Sequence, residues 1–151
     1  MFRGIYKVSL DERGRIAVPV RFREMLRGRS SGKVVVTIDP RDRCLLLYPL
    51  EDWSTVEKEL TDLANLKPQA RYLQRTVVGH ALDVEMDNAG RVLLSPTLRE
   101  YAGLKKRVAV LGQANKLELW DEETLNANLT DWLEQGNQAM GDLDGLDGVH
   151  L

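Results

Sequence analysis

The chain has 151 residues, 43% of them hydrophobic and 29% charged, which is enough apolar content for one ordinary globular domain or two small ones. No apolar run approaches the roughly 20 residues needed to cross a bilayer, and the opening MFRGIYKVSL lacks the apolar stretch and small-residue cleavage site of a secretory signal, so a cytoplasmic protein is expected. The net charge of −2 counts against a nucleic-acid partner, but residues 1–49 hold 11 Lys/Arg against 5 Asp/Glu while residues 108–151 hold 1 against 9, which predicts a basic working face and a separate acidic end.

In chain order, Ile5 to Leu10 reads as a short strand, DERG as a turn closed by Gly14, and RIAVP as the returning strand of a hairpin. Pro19 or Val20 opens a helix to about Leu26, followed by a loop at Arg29–Gly32. KVVVTID and CLLLYP form a second hairpin around PRDR. Trp53, Val56, Leu60 and Leu63 make one apolar helical stripe, which Leu66-Lys67-Pro68 interrupts before a second helix to about Val78. The plan then repeats: strand Leu82 to Met86, turn DNAG, strand RVLLS, a helix from Pro96, and strands RVAVLG and KLELW. Asp121 caps a last helix whose apolar face is Leu125, Leu129, Trp132 and Leu133. After Gly136 the Gly/Asp-rich tail carries no core pattern and is expected to be mobile.

The repetition is close. Residues 11–26, DERGRIAVPVRFREML, return 76 positions later as DNAGRVLLSPTLREYA, with Asp11, Gly14, Arg15 and Arg23-Glu24 matching Asp87, Gly90, Arg91 and Arg99-Glu100. Only the prolines, Pro19 and Pro96, stand one place out of register. Each copy is a supersecondary unit that needs its sibling or a neighbouring chain to bury its apolar face. The expected domains are a first module at 1–67, a second at 68–135 and a flexible acidic tail at 136–151.

No catalytic set assembles: His80 and His150 are the only histidines, and no metal-ligand spacing, phosphate loop or nucleophile elbow is present, so no enzyme, metal or cofactor is expected. Cys44 reads as a buried strand thiol, His80 as a helix-end hydrogen-bonding residue, and Asp39, Asp42 and Asp87 as turn formers. The two DxxGR turns, built on Asp11 with Gly14 and on Asp87 with Gly90, are the better candidates, because each sets an arginine just past its glycine. Arg15 and Arg91 either close the turns against their aspartates or project to a ligand. Arg3, Lys7, Arg13, Arg15, Arg21 and Arg23 crowd the first hairpin and helix, and arginine suits both phosphates and bidentate reading of guanine.

The opening MFRG, DERGR followed by VP, TID with CLLLYPL, RYLQRTVVGHA, and DNAGR followed by LREYAGL and KLELWDE resemble the MraZ family, related to AbrB-type regulators, over about residues 1–135. The resemblance implies an α+β fold of two tandem swapped-hairpin AbrB-like β-barrel modules with flanking helices. It further implies a ring-shaped homo-oligomer and a nucleoid-associated bacterial repressor of the division and cell-wall gene cluster. Such a regulator binds double-stranded promoter DNA at short direct repeats, with no membrane or small-molecule substrate. Arg15 and Arg91 then occupy the family's DxxxR arginines and are expected to bind DNA. The first hairpin is the expected stronger surface, since Ala89 and Thr97 stand where it has Arg13 and Arg21. A ring-forming protein-interaction module and an antitoxin-like regulator are the alternatives.

Overall fold

The two copies of the repeat are woven into one sheet. A computed structural model describes residues 1–64, 66–136, 148 and 149. Its elements are β1 (Phe2–Ser9), β2 (Arg15–Ala17), α1 (Val20–Ser30), β3 (Lys33–Ile38), β4 (Leu45–Pro49) and α2 (Leu50–Thr61). Then follow α3 (Pro68–Leu73), a π-helical turn at Gln74–Val78, β5 (Leu82–Glu85), β6 (Arg91–Leu93), α4 (Pro96–Tyr101), β7 (Arg107–Ala114), β8 (Lys116–Asp121) and α5 (Glu122–Glu134).

Six strands run in the order β1-β7-β8-β4-β3-β5, every neighbouring pair antiparallel, and β2 pairs with β6 in a separate two-stranded ribbon. Read from either edge the order is the same: a first strand, then the hairpin of the other copy. The exchange is a pseudo-two-fold, with Leu46 opposite Glu118 at its centre. The fold is α+β with two tandem modules, as expected, and the six-stranded sheet is open at β1 and β5 instead of closing into a barrel.

The sheet has two differently covered faces. On one, Phe2, Val34, Val36, Leu45, Leu47, Val108, Val110, Leu117 and Leu119 pack beneath Ile16 and Val92 of the ribbon, Phe22 and Leu26 of α1, and Leu98 of α4. Phe22 anchors this core, meeting Phe2 and Tyr6 edge-on at 5.4 and 5.2 Å; removing such a buried ring costs about 3–5 kcal/mol. On the other face, Val35, Leu46 and Tyr48 lie beneath Trp53 of α2, while Ala109, Trp120 and Cys44 lie beneath Leu125 of α5.

Several local expectations are corrected. β2 does not return along β1: a single bridge, Leu10 to Ile16, joins them, and β2 pairs instead with β6. Helix α1 runs through the expected loop to Ser30, because Ser31 (φ 55°) and Gly32 (φ 79°) take the left-handed conformation that turns the chain, their amides donating back to Arg27 and Leu26 carbonyls. Leu63 lies past α2 and is exposed, so the stripe ends at Leu60. On α5, Leu125 is buried and Trp132 meets Trp120 edge-on at 5.8 Å, but Leu133 points to solvent. The offset prolines serve one purpose: Pro19 stands at the cap position of α1, whereas Ser95 caps α4 and Pro96 follows at its first position. The reading of 136–151 as a mobile tail falls outside the described residues except at 136, 148 and 149.

Candidate nucleic-acid interface

Each DxxGR turn is organised by its aspartate. The Asp11 carboxylate accepts from the Arg13 and Arg15 backbone amides at 2.9 and 2.8 Å and from the Arg15 side-chain Nε at 2.8 Å. Asp87 does the same with Ala89 and Arg91 at 3.0, 2.8 and 3.0 Å. Gly14 (φ 83°) and Gly90 (φ 77°) supply the left-handed residue, and their amides donate to the Asp11 and Asp87 carbonyls. The Arg15 and Arg91 backbone amides, with the guanidinium beside each, hold both carboxyls below the ordinary aspartate range against an opposing desolvation by burial.

The turn-closing reading of these arginines is realised, and it engages only part of each side chain. Among the described residues, each guanidinium uses only its Nε to close its turn, leaving the two terminal nitrogens without a protein acceptor. The ion pairs are partly exposed, the Arg15 and Arg91 side chains at 24% and 39%. Such pairs add little stability, but they fix the direction of the fork.

The ribbon then brings the two forks together. Arg15 lies opposite Leu93, Ile16 opposite Val92, and Ala17 opposite Arg91. Ile16 and Val92 point into the core, so strand alternation places Arg15, Ala17, Arg91 and Leu93 on one outward face. Two pleated strands in this register set the Cα atoms of Arg15 and Arg91 on the order of 8 Å apart. The Val18 amide donates to the Gly90 carbonyl and the Leu94 amide to the Gly14 carbonyl, both at 2.8 Å, locking each turn to the opposite copy.

Arg23 and Arg99 support these turns. Their Nε atoms donate to the Val18 and Leu94 carbonyls at 2.7 and 3.1 Å, and each guanidinium lies against the turn glycine of the other copy, where a Cβ on Gly90 or Gly14 would strike it. Arg99 and this cross-copy role were not foreseen from sequence, although the match of Arg23-Glu24 with Arg99-Glu100 was the available signal. Arg27 also reaches the second turn, donating to the Asn88 carbonyl at 3.4 Å.

The expected basic cluster is divided. Arg13 is exposed at the first turn and Arg21 on α1. Arg3 and Lys7, in contrast, lie on the opposite face of the sheet: Lys7 is in register with Ala109 beneath α5 and pairs with Glu122 at 3.1 Å. Strand alternation separates them from the ribbon, since β1 turns Phe2 and Tyr6 toward Phe22 and therefore Arg3 and Lys7 away from it.

The remaining polar groups are structural in their surroundings. Asp39 accepts from the Arg41 and Asp42 amides at 2.7 and 2.9 Å as a turn former, and His80 Nδ1 meets the Thr76 carbonyl at 2.7 Å at a helix end. Asp39, Cys44 and Glu118 bring one donor atom each within 4.8 Å of one another. Burial pushes the Cys44 thiol far up, and it raises the Glu118 carboxyl despite the Trp120 indole donating to that group at 3.0 Å. No described helix is long and apolar enough to cross a membrane.

A family model described as "MraZ protein, putative antitoxin-like" matches residues 1–76 and again 77–137, one match per copy. Similar proteins named transcriptional regulator MraZ include that of Halorhodospira halophila, 48% identical over 145 residues, covering 96% of this chain and 95% of its own. That of Alkalilimnicola ehrlichii is 49% identical over 138 residues, covering 91% and 92%, and that of a Marinomonas species 50% identical over 143 residues, covering 95% and 93%.

Proposed function

The chain belongs to the MraZ family, and we propose that it is a sequence-specific DNA-binding transcriptional regulator that reads promoter DNA with the β2–β6 ribbon. The observation that carries this reading is the outward pair Arg15 and Arg91, each held at Nε by an aspartate, with no acceptor for its terminal nitrogens among the described residues. A two-stranded ribbon fits the major groove, and an arginine presenting two parallel N–H groups matches the O6 and N7 acceptors of guanine. Arg13 and Arg21, both exposed, would neutralise flanking phosphates, while Arg23 and Arg99 act as positioning residues that hold the turns.

In this reading the modules at 1–67 and 68–135 form one DNA-reading unit, and several units in a homo-oligomeric ring engage tandem promoter repeats. Avidity then raises affinity without a tight single site. Occupancy of the promoter represses the division and cell-wall gene cluster, and the protein works in the cytoplasm at the nucleoid. The relatives' printed names support a role in transcription.

The deciding experiment is fluorescence anisotropy with the promoter fragment and a base-scrambled fragment across a salt series. Preference for the promoter, with an affinity that falls linearly in log–log salt, is expected from counterion release. Equal binding to both fragments would overturn sequence-specific reading. The antitoxin-like wording of the family description favours a second reading, in which the same ribbon serves a toxin-linked regulator; copurification of a stoichiometric toxin from the native source would support it.

A further inference from the structure

Two carboxylates and the chain's one thiol converge at the middle of the sheet. Glu118 lies on β8 at the pseudo-two-fold centre, opposite Leu46, and is only 7% exposed. Rotation about that centre exchanges Glu118 with Leu46 and Cys44 with Lys116, so the copies differ in kind at both positions. Asp39 follows β3, and its amide donates to the Cys44 carbonyl at 3.0 Å, which sets the two residues side by side where the β3–β4 turn begins. Strand alternation turns Cys44 and Glu118 to the face covered by α2 and α5. There one donor atom from each of Asp39, Cys44 and Glu118 lies within 4.8 Å of the other two.

Each of the three has binding capacity left over. Asp39 Oδ1 accepts from the Arg41 and Asp42 amides, and Glu118 Oε1 accepts from the Trp120 indole. Among the described residues the second oxygen of each carboxylate has no hydrogen-bond partner, and neither carboxylate forms an ion pair. Lys116, the nearest cation in sequence to Glu118, is turned to the Tyr48 ring, 5.8 Å from its centroid. The Cys44 thiol is fully buried and, among the described residues, makes no hydrogen bond, although its sulfur is one of the three converging atoms. A lone buried thiol is ordinarily a small hydrophobe. Two carboxylates meeting it change that reading, because buried charge persists where it is paired or coordinates a metal.

We propose that Asp39, Cys44 and Glu118 bind one zinc ion, with two ligands from the hairpin of the first copy and one from β8 of the second. One thiolate with two carboxylates suits a borderline divalent ion. Zinc bonds of about 2.3 Å to sulfur and about 2.0–2.2 Å to oxygen set ligand separations on the order of 3.5 Å, so the donors need to close by roughly an ångström. Binding breaks the Cys44 S–H bond and releases its proton to solvent; the dication then meets three anionic ligands, and a water completes the tetrahedron. Asp39 is half-buried and Asp42 exposed, which leaves the turn side open for entry. That turn is held from both faces of the sheet. Tyr101 of α4 donates to the Asp39 and Asp42 carbonyls at 2.5 and 3.2 Å, and Tyr72 of α3 donates to the Pro40 carbonyl at 3.2 Å. Spacing along the chain conceals the set, since its third ligand belongs to the other copy. The site lies apart from the ribbon, and the ion would tie the two copies together at their shared centre.

Because Cys44 is the single cysteine, any thiolate–metal signal belongs to this site. Full-length protein stripped of metal by a chelator is titrated with Co²⁺ and then with Zn²⁺. A near-ultraviolet thiolate-to-cobalt charge-transfer band should appear, saturate at one equivalent per chain and vanish as zinc displaces cobalt. Cys44→Ser, with folding confirmed by circular dichroism, should lack the band, and Glu118→Gln should bind zinc at least tenfold more weakly. Thermal unfolding distinguishes a ligand from a merely structural residue. With chelator present, Glu118→Gln removes a buried charge and should melt no lower than wild type, whereas added zinc should raise the wild-type melting temperature and leave that of the variant nearly unchanged. Absence of the band in folded wild type at excess cobalt would overturn the proposal, and so would zinc affinity that is unchanged in Cys44→Ser. Equal stabilisation of wild type and Glu118→Gln by zinc would overturn it as well, pointing to an adventitious ion held elsewhere, for instance by a histidine. Should Cys44→Ser fail to fold, the wild-type spectrum and the Glu118→Gln comparison decide between the same outcomes.

Discussion

Replacing Arg15 with alanine separates a DNA-reading arginine from a turn-closing one, because the structure sets the two losses at different sizes. The substitution removes one partly exposed ion pair, Nε to Asp11 at 2.8 Å, while the Asp11 contacts to the Arg13 and Arg15 backbone amides survive. A pair this accessible to solvent is worth about 0.2–1 kcal/mol, which for a chain of this size moves the melting temperature by a few degrees. A bidentate guanine contact is worth about 1–3 kcal/mol, or roughly 5- to 150-fold in affinity per repeat, compounded when several subunits bind together. Arg15→Lys keeps the charge but loses the fork, so it should lose most of the sequence preference while retaining the salt slope. Thermal unfolding by circular dichroism and anisotropy on one promoter fragment at fixed salt read both quantities. A melting temperature lowered by more than about 10 °C with DNA affinity unchanged would refute the reasoning and leave Arg15 a turn element.

Gly90→Ala should cost well over 1 kcal/mol, since it combines a φ of 77° with collision against the Arg23 guanidinium, whereas Gly103→Ala, at φ 60° in open space, should cost only the backbone strain of about 1 kcal/mol; urea unfolding of both variants checks the difference. The depressed Asp11 and Asp87 carboxyls contribute stability that is present above the ordinary aspartate value near pH 3.9 and is lost as pH falls through the lower folded value, so Asp11→Asn/Asp87→Asn should flatten the acid limb of a stability profile. Glu118 has the opposite sign: its raised folded value makes the charged form costly, its contribution is lost as pH rises through and beyond the ordinary glutamate range, and Glu118→Gln should gain on wild type more at pH 7.5 than at pH 4 in denaturant titrations. Promoter fragments with several repeats should bind far more tightly than fragments with one, and inserting half a helical turn, about 5 base pairs, between repeats should weaken binding more than inserting a full turn; indifference to number and phase in an anisotropy series would sink the multivalent mechanism.

The local grammar of the chain was legible, and its long-range pairing was not. Asp11-Gly14 and Asp87-Gly90 mark turns because an acceptor side chain and a left-handed glycine make a turn out of four residues alone, and KVVVTID with CLLLYP marks a hairpin because β-rich runs flank a short polar link. Asp121 was legible as a cap for the same reason, accepting from the Thr124 amide at 3.2 Å. What alternation cannot disclose is which strand lies alongside. RIA has an inward Ile16 whether it returns along β1 or crosses to β6, so the sequence was consistent with the simple hairpin that the fold replaces. The same ambiguity grouped Arg3 and Lys7 with Arg15: they are close in sequence, but one strand's pleat puts them on the other face of the sheet. Arg23 likewise looked like a surface cation beside Arg21, and only the crossing of the copies turns it against Gly90.

The crossing also bears on how a duplicated chain would read DNA. A perfectly symmetric ribbon, with Arg15 and Arg91 equivalent, would see the same bases in both directions and so favour an inverted sequence. The contacts within the ribbon keep that symmetry, as the matched 2.8 Å amide bonds from Val18 and Leu94 demonstrate. The surrounding side chains break it: Arg13 faces Ala89 in the alignment of the copies, and Arg21 faces Thr97. The two extra cations fall at opposite ends, since Arg13 stands at the first turn while Arg21 is on α1, whose Arg23 packs against Gly90 of the second turn. Each end of the ribbon therefore carries one arginine that the matching position of the other copy lacks, so the copies differ in which side chain they offer but not in how much charge each end presents. On the DNA-reading proposal, both ends would then meet phosphate, one through a turn and the other through a helix, and the two halves of a site would be held by different contacts around an equivalent pair of forks.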